Sequence, residues 1–236
     1  DTVSDNYFGT KIDDPYRWLE DDHSAETMDW VKSQNKLTFS VLDKIPFRND
    51  LRKHIETLFD YTKFGTPEKK SGNYFVFKNN GLQNQDVLYR TKNLNDSLQL
   101  VLDPNTFSKD GTVALSGHSF SKNGKYMAYL ISEGGSDWNK IIVKDLDQNK
   151  DLTDTVHWVK FSGASWKEDG FYYSRYPEPK GTGTLSAKNE NHSVYFHKLG
   201  TKQSSDALIY SDPKNPLRNS YASLTDDERF LILSSS

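Results

Sequence analysis

Asn123-Gly124-Lys125-Tyr126-Met127-Ala128-Tyr129-Leu130-Ile131 decides how the rest of this chain is read. Asn-Gly is a strong turn signal, and the apolar, aromatic run behind it has the length of a strand. The arrangement comes back. Gly72-Asn73-Tyr74-Phe75-Val76-Phe77 and Gly170-Phe171-Tyr172-Tyr173-Ser174 each follow a polar turn. Asp227-Glu228-Arg229-Phe230-Leu231-Ile232-Leu233 repeats the pattern with Glu228 in the glycine slot. Counted from positions 72, 124, 170 and 228, the repeats lie 52, 46 and 58 residues apart. That period, with short aromatic strands, is the trace a β-propeller blade leaves in sequence.

Working outward, the first blade is predicted to hold strands at Tyr74–Phe77, Val87–Arg90 and Leu98–Leu102, with Gly81 in a turn. The second holds Tyr126–Ile131, Lys140–Asp145 and a strand from Leu152, and the third Phe171–Arg175, Ser193–Lys198 and Ala207–Tyr210. Each blade also takes a strand from just before its glycine turn: Ala114–Phe120, Val159–Trp166 and Tyr221–Leu224. The final strand, Phe230–Leu233, is expected to lack partners. The Gly-, Lys- and Ser-rich stretch from Pro177 to Asn191 reads as an exposed hairpin loop.

Residues 1–62 read differently. Asp14-Pro15 is an acceptor side chain followed by proline, a helix start. Ser24 can cap a longer helix carrying Met28, Trp30, Val31, Leu37 and Val41, and Pro46 closes that region. Leu51, Ile55, Leu58 and Phe59 fall on one helical face. The opening sixty residues are thus predicted helical and in need of an apolar partner surface. The division is 1–62 for this segment and 63–236 for the propeller blades.

Composition narrows the class. Hydrophobic residues are only 34% of the chain, but aromatics reach 13%, with a mean hydropathy of -0.80. Few aliphatics and many rings suit short strands better than a disordered chain, because each buried ring removes a large area from water. A formal net charge of -3 argues against a nucleic-acid partner. No apolar run reaches membrane-spanning length, and the absence of cysteine excludes disulfides and thiolate metal sites.

Chemistry is sparse. Gly117-x-Ser119, Gly134-x-Ser136 and Gly163-x-Ser165 all lack the second glycine of a G-x-S-x-G nucleophile elbow. His118 stands near Ser116 and Ser119, but neighbours on a strand are not a triad. His192 and His197, five apart in a predicted strand, point to opposite faces and read as packing residues. No phosphate loop is present. Neither metal nor cofactor is expected. Asn95-Asp96-Ser97 and Asn191-His192-Ser193 match the N-glycosylation triplet, a pattern common by chance.

A series of motifs carries more. Asp14-Pro15-Tyr16-Arg17-Trp18-Leu19-Glu20-Asp21 and Gly81-Leu82-Gln83-Asn84-Gln85 closely resemble the prolyl oligopeptidase family of serine peptidases. So do Leu102-Asp103-Pro104-Asn105, Gly135-Ser136-Asp137-Trp138, Val159-Lys160-Phe161-Ser162 and His197-Lys198-Leu199-Gly200-Thr201. The match runs in order from about Tyr7 to the last residue, and lies with the family's namesake branch rather than its dipeptidyl or acylaminoacyl peptidases.

The resemblance implies a mainly β chain. It would be an incomplete seven-bladed β-propeller, about three blades and the start of a fourth, preceded by an α-helical N-terminal segment of an α/β-hydrolase domain. It implies a parent serine endopeptidase, monomeric when intact, that cleaves short proline-containing peptides after proline. The missing C-terminal peptidase domain would carry the Ser-Asp-His triad, so no catalytic residue is expected in this chain. Between periplasm and cytoplasm, the resemblance leans to the periplasm.

Two propeller residues would face the substrate by the same resemblance. Asp137 would orient an arginine of the absent peptidase domain, and Phe161 would contact the peptide. A family methionine near the fourth blade aligns with Asn219, and that role is not carried over. Trp138, Trp158 and Trp166 read as packing residues. The competing reading is a non-catalytic propeller scaffold, which would have no need of residues 1–60 and their amphipathic helices.

Overall fold

The computed structural model describes residues 3–179 and 188–236, so the central part of the predicted hairpin loop lies outside the described residues. The chain divides into two compact units. One runs through Leu58 and includes Pro179 and Lys188; the other comprises Phe59–Glu178 and Asn189–Ser236.

The first unit corrects the expectation of an all-helical opening. Strands β1 (Val3–Tyr7) and β2 (Thr10–Asp14) form an antiparallel hairpin. Phe8 and Gly9 both have positive φ, the conformation of a two-residue primed turn, and Asn6 Oδ1 accepts the Gly9 N–H at 2.7 Å. Asp14 does not cap an α-helix. Its carboxylate accepts from Tyr16 N at 2.9 Å and Arg17 Nε at 2.8 Å, leading into a 3₁₀ turn at Arg17–Glu20. Arg17 also reaches Asp5, so the arginine of the Asp-Pro-Tyr-Arg motif ties both strands to that turn.

Helix α1 (Ala25–Leu42) starts where the sequence predicts, with Ser24 Oγ accepting from Thr27 N. Thr27 donates back to Trp18 O at 3.1 Å, and the Trp18 and Trp30 rings meet edge to face. Helix α2 (Arg48–Phe59) carries Leu51, Ile55 and Leu58, all exposed in this chain, as are Met28 and Leu37 of α1.

The second unit is antiparallel sheet throughout. Strands β3 (Lys63–Phe64), β4 (Glu68–Lys70), β5 (Asn73–Asn79), β6 (Val87–Thr91) and β7 (Gln99–Leu102) form a sheet in the order β3-β5-β6-β7, with β4 also on β5. Next come β8 (Val113–Phe120), β9 (Tyr126–Glu133), β10 (Asn139–Asp145) and β11 (Lys150–Val159), a simple meander. Strands β12 (Ser165–Lys167), β13 (Gly170–Arg175), β14 (Ser193–Lys198) and β15 (Ala207–Tyr210) make another, its strand pairing continuous with the previous one at Val159 opposite Arg175.

Two strand expectations need correction. Val159–Trp166 is not one strand: β11 stops at Val159 and β12 begins at Ser165, because Trp158 and Phe161 take left-handed backbone angles of φ 62° and 56°. Phe230–Leu233 is not unpartnered either. Strand β17 (Leu231–Ser235) pairs along its length with β16 (Ser220–Leu224).

The glycine slot has a physical cause at 72, 124 and 228 but not at Gly170, where the left-handed residue is Glu168 (φ 49°) and a Cβ on the glycine would meet His197 O at 2.3 Å. Gly72 and Gly124 have φ of 75° and 69°, and Glu228 takes 57° in the same slot. A Cβ on Gly124 would also come within 2.5 Å of the Ser71 Cβ, because turns of successive sheets touch there and Ser71 Oγ donates to Lys122 O.

The core lies between sheets. On β9, Met127 and Tyr129 point into a cluster with Phe75, Leu88 and Phe120, whereas Ala128 and Leu130 point into a second cluster with Ile141, Trp166 and Phe171. A strand whose successive residues are all buried, alternating between two cores, is one whose sheet is covered on both faces.

A charged cluster sits inside this stack. The fully buried His197 places Nδ1 2.8 Å from Asp206 Oδ1 and Nε2 3.2 Å from Asp154 Oδ1. Tyr173 donates to the other Asp206 oxygen. Two ring nitrogens facing two carboxylates require two donors, which only the imidazolium supplies. Burial opposes its charge, but the carboxylates outweigh it and raise the His197 pKa above 6.5. The stabilisation is therefore complete below that value and lost as pH rises through the folded-state pKa. We expect His197→Gln to cost about 3 kcal/mol in urea unfolding at pH 6, with a smaller gap from wild type at pH 8.5.

Candidate functional site

The Asp137 and Phe161 segments are built by two departures from regular strand. The first is the β9–β10 connection. Gly134 and Gly135 both have positive φ, Ser136 Oγ accepts from Trp138 N, and Asn139 Nδ2 donates to the Asp137 carbonyl. These bonds fix the backbone while the Asp137 side chain stays 69% exposed. The second is the left-handed break after β11. Left-handed backbone is a genuine outlier for a residue as bulky as phenylalanine, so the surroundings must hold it. Phe161 is 54% exposed there.

The two segments meet around Lys160, which is only 8% exposed. Its Nζ lies 3.6 Å from Asp137 Oδ2, 5.1 Å from the Trp138 ring centre and 5.3 Å from that of Phe161. Rings back the cluster. Trp138 meets Trp158 and Tyr176 edge to face, at 5.6 and 6.1 Å. Tyr176 N–H donates to Trp158 O, and its hydroxyl donates to Asn219 Oδ1.

His192 locks the Lys160 backbone. Its Nδ1 accepts from Ser220 N at 3.0 Å, so the neutral ring carries its proton on Nε2 and donates to Lys160 O at 3.2 Å. Tyr176 and Tyr221 flank the ring. Burial holds its pKa below the usual histidine value, although the two backbone bonds pull the other way.

The structure thus brings both predicted residues to one ammonium. Sequence reasoning missed Lys160 and His192 as organising groups. Lys160 stood inside a quoted motif, but its burial has no sequence signal.

Hydroxyls in and beside the incomplete elbows have other partners. Ser119 Oγ donates to Ala164 O at 2.8 Å, and Ser116 bonds Asn139. His118 faces Glu68 at 3.6 Å and packs on Phe77 and Phe120. It bonds neither serine. Among the described residues no group of three or more His, Cys, Asp or Glu is placed to hold a metal, and no helix is long and apolar enough to cross a membrane. The arrangement offers a carboxylate to a cation and an exposed ring to an apolar group.

Repeated antiparallel meanders packed face to face are the architecture of a propeller-type domain. A family model described as the prolyl oligopeptidase N-terminal β-propeller domain matches residues 1–236, and the chain belongs to that family. It is 50% identical over 232 residues to the prolyl endopeptidase of Elizabethkingia meningoseptica, covering 98% of this chain and 33% of that protein. It is 37% identical to prolyl oligopeptidase A of Amanita bisporigera, covering 94% of this chain and 33% of that one. Among solved structures, prolyl oligopeptidase B of Galerina marginata bound to a 25mer macrocyclization substrate superposes with a TM-score of 0.83 at 29% identity, covering all of this chain and 36% of that one. The chain thus spans about a third of the length of the relatives it matches.

His192 gives this subsection its test. A depressed folded-state pKa means stability present above the ordinary histidine pKa and lost as pH falls through the folded-state value. His192→Phe keeps the ring but strands Lys160 O and Ser220 N–H, so thermal unfolding at pH 7.5 should show a loss of about 2 kcal/mol. Its further loss between pH 7.5 and 5 should be smaller than wild type's.

Proposed function

We propose that this chain is the N-terminal part of a serine endopeptidase that cleaves short peptides on the C-terminal side of proline. The observation that carries the reading is the 50% identity to a prolyl endopeptidase along 98% of the chain. In this reading the three larger sheets are blades of a seven-bladed propeller, and the β16–β17 hairpin begins a fourth. Residues 1–62 belong to an α/β-hydrolase domain, against which the exposed apolar residues of α1 and α2 pack. The remaining peptidase segment supplies the nucleophile, base and acid, and the intact enzyme acts as a monomer.

The mechanism assigned to the intact protein is acyl transfer. A serine hydroxyl attacks the carbonyl carbon of proline and gives its proton to a histidine, which passes it to the leaving amine as the C–N bond breaks; water then hydrolyses the acyl-enzyme, and backbone donors hold the oxyanion in both steps. The propeller encloses short peptides and screens out folded proteins. Asp137 holds an arginine fork of the peptidase segment in one orientation through charge-assisted bonds, and that arginine binds the peptide backbone beside the proline. The exposed Phe161 ring packs on the peptide. Support for these two roles is their shared position around Lys160.

The full-length protein should turn over a chromogenic Gly-Pro substrate, and this chain alone should match a heat-killed control. In the full-length protein, Asp137→Ala and Phe161→Ala should each lower kcat/KM about tenfold on peptides longer than the minimal substrate, with unchanged melting temperature. Turnover by the isolated chain, or wild-type kinetics in both variants, would contradict the proposal.

A further inference from the structure

We infer that Lys160 is a positioning residue: one nearly buried ammonium sets the Asp137 carboxylate and the Phe161 ring in register with each other. The inference rests on the substrate-facing roles proposed for those two residues.

The geometry is specific. Asp137 and Phe161 belong to different connections, one between β9 and β10 and one after β11, and each side chain is more exposed than buried. Among the described residues, Lys160 is the only side chain paired with the Asp137 carboxylate and the only cation over the Phe161 ring. Oδ2 faces the ammonium, and Oδ1 takes no hydrogen bond among the described residues, leaving acceptor capacity for a guanidinium. The ammonium in turn has one carboxylate and two ring faces. Its attraction to both kinds of partner strengthens where water is excluded.

The lysine is itself held. Its carbonyl accepts from His192, which is bound to Ser220 on β16, and Val159 beside it pairs with both Asn139 and Arg175. An exposed carboxylate with free rotamers would lose that freedom on meeting an arginine; one already drawn toward Lys160 has lost part of it beforehand. The same ammonium restrains Phe161, so a single side chain preorganises a polar and an apolar contact together.

The test uses the full-length protein and a proline-containing octapeptide, with kcat and KM measured separately for Lys160→Met, Lys160→Arg and Asp137→Ala. Lys160→Met keeps the apolar stem and should lower kcat/KM about tenfold, mostly through KM. Lys160→Arg keeps the cation and should recover to within about threefold of wild type. Added to Asp137→Ala, Lys160→Met should cost less than the tenfold it costs alone, the remainder being its hold on Phe161. If Lys160→Met does not fold, Lys160→Gln takes its place in the cycle. Wild-type kinetics for Lys160→Met beside an impaired Asp137→Ala would overturn this inference alone. Equal loss in the Met and Arg variants, or full additivity with Asp137→Ala, would overturn it likewise. Wild-type kinetics for Asp137→Ala would overturn the site reading and this inference together.

Discussion

The structure depends on sheets being apolar on both faces. Strand β9 shows the constraint in four residues: Met127 and Tyr129 serve one core, Ala128 and Leu130 the other. Fully burying a side chain such as Met127 or Leu130 contributes about 1.5–3 kcal/mol, so a strand with this pattern gains from cover on both faces. Stacking provides that cover in a chain poor in aliphatics and rich in rings. Phe75 against Phe120 at 4.2 Å, and Trp166 against both Tyr126 and Phe171, are the contacts that stacking produces.

The candidate site is a by-product of that stack. Once the sheets are fixed, the connections at their ends are fixed too, and two of them are forced out of strand geometry by the left-handed Trp158 and Phe161 and by Gly134 and Gly135. Rings, a buried histidine and a nearly buried lysine hold those connections in place. The two buried histidines do opposite work. His197 is held charged between Asp154 and Asp206, whereas His192 is held neutral between a donor and an acceptor of the backbone. Their pH signatures oppose each other for that reason.

Much of this was legible in the letters. The turn slot at 72, 124 and 228 could be read because left-handed backbone favours glycine, and even Glu228 kept the slot's conformation. The meander β9–β10–β11 and the Ser24 cap followed from alternation and capping chemistry. The opening hairpin did not, because Val3–Tyr7 and Thr10–Asp14 are mostly polar and their turn begins on Phe8, which carries no turn signal. The break after Val159 was hidden likewise: aromatic residues predict strand, yet Phe161 leaves it and Trp158, near the end of β11, is already left-handed. Asp137 and Phe161 were singled out through resemblance. Lys160 and His192 were not, because their roles depend on partners that lie 23 residues away at Asp137, 32 at Lys160 and 28 at Ser220.

The most direct measurement is a crystal structure of the full-length protein with an uncleaved proline-containing peptide bound. The account predicts the Phe161 ring packed on the peptide, and the Asp137 carboxylate paired with an arginine from outside this chain while still facing Lys160. A bound peptide with Asp137 and Phe161 both left to bulk solvent would contradict it.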